Sequence, residues 1–344
     1  MEHVLLPYRI IMGFATGSRI AVPSKLAPLV FKVAKEGKLL SLFCDSMDVF
    51  TGSNRRYLEK RCLLTKLYTE HLDVVGEKLN ASGIEYYVFK TLKPFAYDMT
   101  DLDLLFMNRN DMLLASKMLI ETCGFKSIAR GTYSIALRKT IGGLDIDLDL
   151  QTRIAAGTFE YIEVSNIKNT MREIGYTIRK LSLLKPELEL VVITGHTFYK
   201  DFSISLANIL YFDYLRRIIN GSVLNRILEH YPYLLKPFKL LNYFVNFLQD
   251  TIRIGKYPIT SDSKKCLEYL LMRKSICEVL RKGQGTFPLP LPIVARNYVE
   301  TTSMLVKNHK YNQLYELLNL PRSRGVGLLF RRIGVLPLEE TIRV

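Results

Sequence analysis

The chain has 344 residues, 48% hydrophobic and 24% charged, with 48 Lys+Arg against 33 Asp+Glu and a formal net charge of +15. That is long enough for a well-buried core and two or three domains, and too apolar for a disordered chain. No apolar run is long enough to span a bilayer, and the amino-terminal MEHVLLPYRIIMGF, broken by Glu2, Pro7 and Arg9, lacks the form of a secretory signal.

The five cysteines, Cys44, Cys62, Cys123, Cys266 and Cys277, are odd in number, widely spaced and never in a Cys-x-x-Cys pair. Neither a zinc site nor a disulfide framework is indicated, and a reducing, cytoplasmic setting is expected. The excess charge is uneven: residues 1–150 hold 20 Lys+Arg against 17 Asp+Glu, and residues 151–344 hold 28 against 16. A basic second half suits a phosphate-bearing partner, and it also suits plain solubility.

Through the first fifty positions apolar and basic residues recur at helical spacing, as in KLAPLVFKVAKEGKLLSLF, and TGSN at 51–54 reads as a loop. RRYLEKRCLLTKLYTEHLDVVGEKLNASG predicts a long helix stopped by Gly83. IEYYVFK predicts a strand ending at Lys90, and Asp101 to Phe106 a second. NDMLLASKMLIETCG is a helix closed by Gly124; FKSIA, YSIALRK and LDIDLDL are short strands, and EIGYTIRKL from 173 is one more. From Pro186 the periodicity is almost wholly helical, interrupted by YPYLLKPF and FPLPLP. The expected fold class is α+β, a small mixed sheet with its helices followed by a helical domain. Its parts are a helical lead (1–59), an α+β domain (60–182) and a helical carboxy-terminal domain (183–344).

Two of these strands carry aspartates, which strands select against. Alternation puts Asp101 and Asp103 on one face of DMTDLDLLF, and Asp145, Asp147 and Asp149 on one face of GLDIDLDL, with leucine and isoleucine opposite. If the strands are neighbours over one core, the five carboxylates converge and repel unless a cation sits among them. A hard divalent cation with oxygen ligands suits such a cluster, and phosphoryl or nucleotidyl transfer is the chemistry that needs it. The bland alternative is a solvated sheet face. An EF-hand is excluded, because the sixth position of the loop that starts at Asp145 is Leu150 and the twelfth is Ala156.

The order of these elements, with VFKTLKPFAYDMTDLDLLF and the later DIDLDL strand, resembles the nucleotidyltransferase superfamily, the fold of DNA polymerase β and antibiotic nucleotidyltransferases. It is most similar to archaeal nucleotidyltransferase-like proteins, over roughly residues 60–215, and PELELVVITGHTFYKDFSISLANIL resembles a helical segment of that group. The resemblance implies a metal pair at Asp101 and Asp103 and a third carboxylate at Asp147, with Asp149 as a further ligand and Asp145 in reserve. Mg²⁺ or Mn²⁺ is the implied metal. Where many members have a Gly-Ser turn that holds the triphosphate, this chain has Lys90-Thr91, so Lys90, Thr91 and Lys93 are the candidate phosphate ligands. His196 and Lys200, four apart on a predicted helix, are either cleft residues that touch the nucleotide or a packed histidine beside an exposed lysine.

The implied activity is transfer of a nucleoside monophosphate from a nucleoside triphosphate, ATP or another, to a hydroxyl, with release of pyrophosphate. The acceptor is an RNA end, a phosphorylated small molecule or a protein side chain. The alternative is a non-catalytic nucleotide- or RNA-binding protein on the same fold. Arg322, Arg324, Arg331 and Arg332 either grip a polyanion or form a solvated tail.

Overall fold

A computed structural model describes residues 2–18, 20–164, 175–178, 180–254 and 267–319. The arginine-rich segment from 322, Cys266 and the first residues of EIGYTIRKL lie outside the described residues.

The chain opens with α1 (Glu2–Ala15), α2 (Ala27–Glu36), a 3₁₀ segment (Leu40–Val49) and the long α3 (Gly52–Ala81). The expected loop at TGSN is instead the start of α3, with Thr51 at its amino-terminal boundary. Gly83, at φ +66°, follows its end as expected. Next come β1 (Tyr86–Val88), β2 (Leu102–Phe106), α4 (Arg109–Cys123), β3 (Lys126–Arg130), β4 (Ser134–Ile141) and β5 (Leu144–Gln151). The short pair β6 (Ile154–Ala156) and β7 (Phe159–Ile162) leads to β8 (Gly175–Ile178) and β9 (Leu181–Leu184).

Seven of these strands form one mixed sheet in the order β3-β4-β5-β2-β1-β9-β8. β2 is parallel to β5, and β1 is parallel to β9. β2 lies at the centre with all five residues buried, which is why its single aspartate stands out. β5 alternates, with Leu144, Ile146, Leu148 and Leu150 buried and the aspartates on the other face.

The carboxy-terminal half is helical: α5 (Pro186–Gly195), a π-helical turn (His196–Asp201), α6 (Leu206–Ile218), α7 (Gly221–His230), α8 (Pro232–Ile254), α9 (Leu267–Lys282), α10 (Leu291–Lys307) and α11 (Tyr311–Asn319). Two short strands, β10 (Ser203–Ser205) and β11 (Thr286–Pro288), pair between these helices. Aromatic residues of this half are buried, among them Phe198, Tyr199, Phe212, Phe244 and Phe247. No helix among the described residues is long and apolar enough to cross a membrane.

Three expectations change. The boundary at 59/60 falls inside α3, and that at 182/183 falls inside β9, a strand of the main sheet. The lead is also not separate: Tyr8 Oη donates to the Gln284 carbonyl at 2.7 Å and Arg9 Nε to that of Ile252 at 2.6 Å, so α1 is docked on the carboxy-terminal helices. Finally, Cys44 and Cys62 form a disulfide, because the 3₁₀ segment lies along α3 and brings their Cα atoms to 5.7 Å. Such bonds persist in oxidising settings or in hyperthermophiles, so cysteine spacing no longer argues for a reducing one.

The disulfide closes a loop of 18 residues, so Cys62→Ser should cost roughly 2–4 kcal/mol of stability. Urea unfolding of the variant and of the wild type, with and without reductant, checks this. A reductant effect seen equally in both proteins would contradict the bond.

Candidate functional site

The parallel register of β2 and β5 sets Asp103 beside Asp149 on one face of the sheet. Asp101 lies just before β2. One carboxylate oxygen from each of Asp101, Asp103 and Asp149 lies within 4.8 Å of the others. Asp103 is buried, and its two neighbours are half-buried.

Asp147, expected as the third carboxylate, and Asp145 lie outside this group. Gly142 and Gly143, at φ +56° and +76°, make the two-residue turn between β4 and β5, and such a turn fixes the hairpin register. That register sets Arg138 opposite Asp147 and Ala136 opposite Asp149. Arg138 takes both oxygens of Asp147, at 2.6 and 2.8 Å, and reaches Asp145 at 3.3 Å. Asp149 faces an alanine and is left for the cluster.

Crowding marks the cluster electrostatically. Burial first and the Asp103 charge next raise the Asp101 carboxyl above its ordinary value. Asp149 is pushed up to about 6 by burial, then by the charges of Asp103 and Asp101. Three converging carboxylates without sulfur or imidazole fit a hard divalent cation such as Mg²⁺ or Mn²⁺.

Lys90, Thr91, Lys93, His196 and Lys200 all line one cavity of about 170 Å³, together with Asp101 and Asp103. Their roles in it differ. The Lys90 ammonium sits 2.9 Å from Asp103 Oδ1, and its backbone is left-handed at φ +60°. Thr91 accepts the Asp103 amide at 2.9 Å and donates to the Phe89 carbonyl at 3.2 Å, so its hydroxyl positions Asp103. Lys93 donates to the Lys90 carbonyl at 2.9 Å and lies over the rings of Tyr97 and Tyr211. Burial lowers the Lys93 ammonium to about 8, with Glu189 opposing that shift.

His196 and Lys200 lie in the π-helical turn rather than on a regular helix; such turns are rare and frequent at functional sites. His196 is buried edge-on to Tyr161. Burial, then the Lys90 and Lys200 charges, hold its imidazolium well below the usual range, so it is neutral.

Several site residues escaped the sequence reading. Gln151 donates to Asp103 Oδ1 at 2.7 Å; it follows Asp149 by two on the same strand, so alternation alone places it there. Glu189 is buried in α5 and accepts the Lys90 amide at 2.5 Å. Its signal is a carboxylate inside the otherwise apolar run LELVVI. Burial pushes Glu189 up to about 7, against the pull of Lys93. Lys38 also lines the cavity. Asp98 accepts from the Ser41 amide at 2.9 Å, the Leu40 amide at 3.2 Å and the Ser41 hydroxyl at 2.7 Å, which ties the loop before β2 to the 3₁₀ segment.

No protein-family model matches the chain, and no curated protein matches it in sequence.

A cation needs the ionised carboxylates, whereas the metal-free site resists ionisation until about pH 6 at Asp149. Mn²⁺ affinity should therefore be level above about pH 7 and fall about tenfold per unit below about pH 6, with proton release on binding near pH 6. Without metal the same raised carboxyl stabilises the fold below its unfolded value, and that contribution is lost as pH rises through about 6. Titrations of Mn²⁺ by electron paramagnetic resonance from pH 5 to 8 test the sign; an affinity that rises on acidification contradicts it.

Proposed function

We propose that the protein is a metal-dependent nucleotidyltransferase, moving a nucleoside monophosphate from a nucleoside triphosphate to a hydroxyl acceptor. The observation that supports it is the meeting of two features: three carboxylates within 4.8 Å, two of them paired on adjacent parallel strands, and a cavity beside them lined by Lys38, Lys90, Lys93 and Lys200. Asp101, Asp103 and Asp149 would hold Mg²⁺ or Mn²⁺, which when bound supplies charge neutralisation and a more acidic acceptor hydroxyl.

The four lysines offer point charges to a polyphosphate. Asp149, which faces Ala136 rather than Arg138 and so keeps its carboxylate in the cluster, is the residue placed to take the acceptor proton. The acceptor oxygen bonds to the α-phosphorus as the bond to the pyrophosphate oxygen breaks, and pyrophosphate leaves with the charge. Neutral His196 can donate one hydrogen bond to base, sugar or phosphate. The acceptor is an RNA end or a phosphorylated small molecule, in keeping with the basic second half.

A second reading has its own observation. The Lys90 ammonium already occupies one oxygen of Asp103 at 2.9 Å, as it would in a non-catalytic nucleotide- or RNA-binding protein that takes no metal.

Four labelled nucleoside triphosphates, Mg²⁺ or Mn²⁺ and a cell extract as acceptor separate the two. Label transfer should be lost with chelator and fall by about 10²- to 10⁴-fold in Asp149→Asn. Asp147→Asn, which breaks only the Arg138 pair, should keep turnover within about threefold of wild type. Metal-independent nucleotide binding without transfer would support the second reading.

Lys90→Ala should weaken triphosphate binding about tenfold to a hundredfold, the worth of a charge-assisted hydrogen bond. A fluorescent-nucleotide titration with Mg²⁺ present decides it, and equal affinities would remove Lys90 from the site.

A further inference from the structure

Behind the loop that carries Lys90 and Lys93 lies a second, larger cavity of about 440 Å³, inside the roughly 300–1,000 Å³ range of small-molecule sites. The apolar part of its wall is built from Leu72 of α3, Val88 of β1, Leu183 and Leu184 of β9, and Leu215 and Ile218 of α6. Ile218 is half exposed, at 50%, at the rim. The charged groups on its wall are Glu189, Lys90, Lys93 and the exposed Asp73, beside the hydroxyl-bearing Thr69, Tyr211 and Tyr214.

Glu189 belongs to the wall of this cavity and not to that of the smaller one. Its Oε1 accepts the Lys90 amide, while its Oε2 is buried without a hydrogen-bond partner among the described residues. In the ionised form that the Lys93 charge favours, this oxygen is a buried acceptor left without a donor, which is costly, and a ligand that supplies one recovers that cost. The Lys93 ammonium is the strongest charge acting on Glu189 and offsets it. An added cation would therefore face Lys90 and Lys93, and an added anion would face Glu189. What remains is a neutral donor on an apolar body.

We propose that this cavity is an effector site for a small neutral molecule with an apolar body and one N–H or O–H donor, read by Glu189. Glu189 holds the Lys90 backbone, and the Lys90 ammonium holds Asp103. A ligand hydrogen-bonded to Glu189 thus acts two contacts away from the carboxylate cluster, and this effector role rests on the metal-dependent function proposed above.

Indole is a suitable probe, since it is flat, neutral and carries one N–H, and the chain has no tryptophan to mask its fluorescence. Indole should bind saturably. Indene, of the same shape without the donor, should compete about tenfold less well. Leu183→Phe, which fills the cavity, should abolish binding, with its fold checked by circular dichroism. Ile218→Arg, at the exposed rim, should weaken it at least about threefold by placing a charge at the mouth. Equal competition by indene, or unchanged indole affinity in a folded variant of either kind, would overturn the site.

For the effector role, saturating indole should shift Mn²⁺ affinity by at least about threefold, and Mn²⁺ should shift indole affinity by the same factor. Two bound ligands with no mutual effect would overturn that role. If Mn²⁺ does not bind at all, the function proposed above falls and the effector role with it, while the indole and indene comparison still decides the cavity.

Discussion

The site depends on one constraint: Asp103 has to stay at the centre of a buried sheet with two more carboxylates at its side. In a partly desolvated setting, like charges this close oppose one another's ionisation, as the raised Asp101 and Asp149 carboxyls record. The fold answers by fixing Asp103 from several sides. Thr91 holds its amide, its carbonyl accepts from the Phe89 amide at 3.2 Å, and Lys90 and Gln151 both donate to Oδ1. Removal of any one partner would leave the others crowded around a less fixed charge. The ammonium of Lys90 offsets part of the repulsion.

The rest of the chain serves that geometry at one remove. The loop between β1 and β2 carries Thr91, Lys93 and Asp101, and a loop of that length would wander if it were free. Asp98 ties it to the 3₁₀ segment. The Arg61 guanidinium donates to the Met99 carbonyl at 2.5 Å, and the Tyr68 hydroxyl donates to that of Thr100 at 2.6 Å, both from α3. The 3₁₀ segment is in turn bonded to α3 through Cys44–Cys62. The amino-terminal lead thus braces the loop before β2 and lines the cavity through Lys38.

Much of this was legible in the sequence, and the misses have definite causes. Strand alternation is a local property, so the shared face of Asp101 and Asp103, and that of Asp145, Asp147 and Asp149, followed from spacing alone. Which of the latter three joins the cluster depends on pairing with two neighbours. Gly142-Gly143 was a readable clue, since a two-residue turn sets Arg138 against Asp147, leaving Asp149 for β2. Glu189 stands out as a carboxylate within LELVVI, but its role was not legible, because its partner is the backbone amide of a residue 99 positions away. The short strands β6, β7, β10 and β11 carry three or four residues each, too few for any period to register. The Cys44–Cys62 bond could not come from counting cysteines, because it depends on the 3₁₀ segment lying along α3.

The contrast between Lys90-Thr91 and the Gly-Ser turn of the superfamily that the sequence resembles takes on a different meaning once the backbone is known. Glycine is favoured in such a turn because it adopts positive φ without steric cost. Lys90 keeps that left-handed conformation, at φ +60°, while bearing a side chain; for a non-glycine residue this costs of order 1–2 kcal/mol. The Glu189 carboxylate on the Lys90 amide, together with the Lys93 ammonium on the Lys90 carbonyl, is placed to hold it there. Lys90 therefore makes a glycine-like turn and carries a charge in it, at the strain of one residue. A glycine turn presents amides to phosphate; here the Lys90 amide is taken by Glu189, so a phosphate at the proposed site would meet ammonium groups instead. Point charges on flexible stems tolerate a wider range of phosphate positions than fixed amides do. The conformation of Lys90 thus becomes the common dependency of Asp103 on one side and of Glu189 on the other, which is what joins the two cavities.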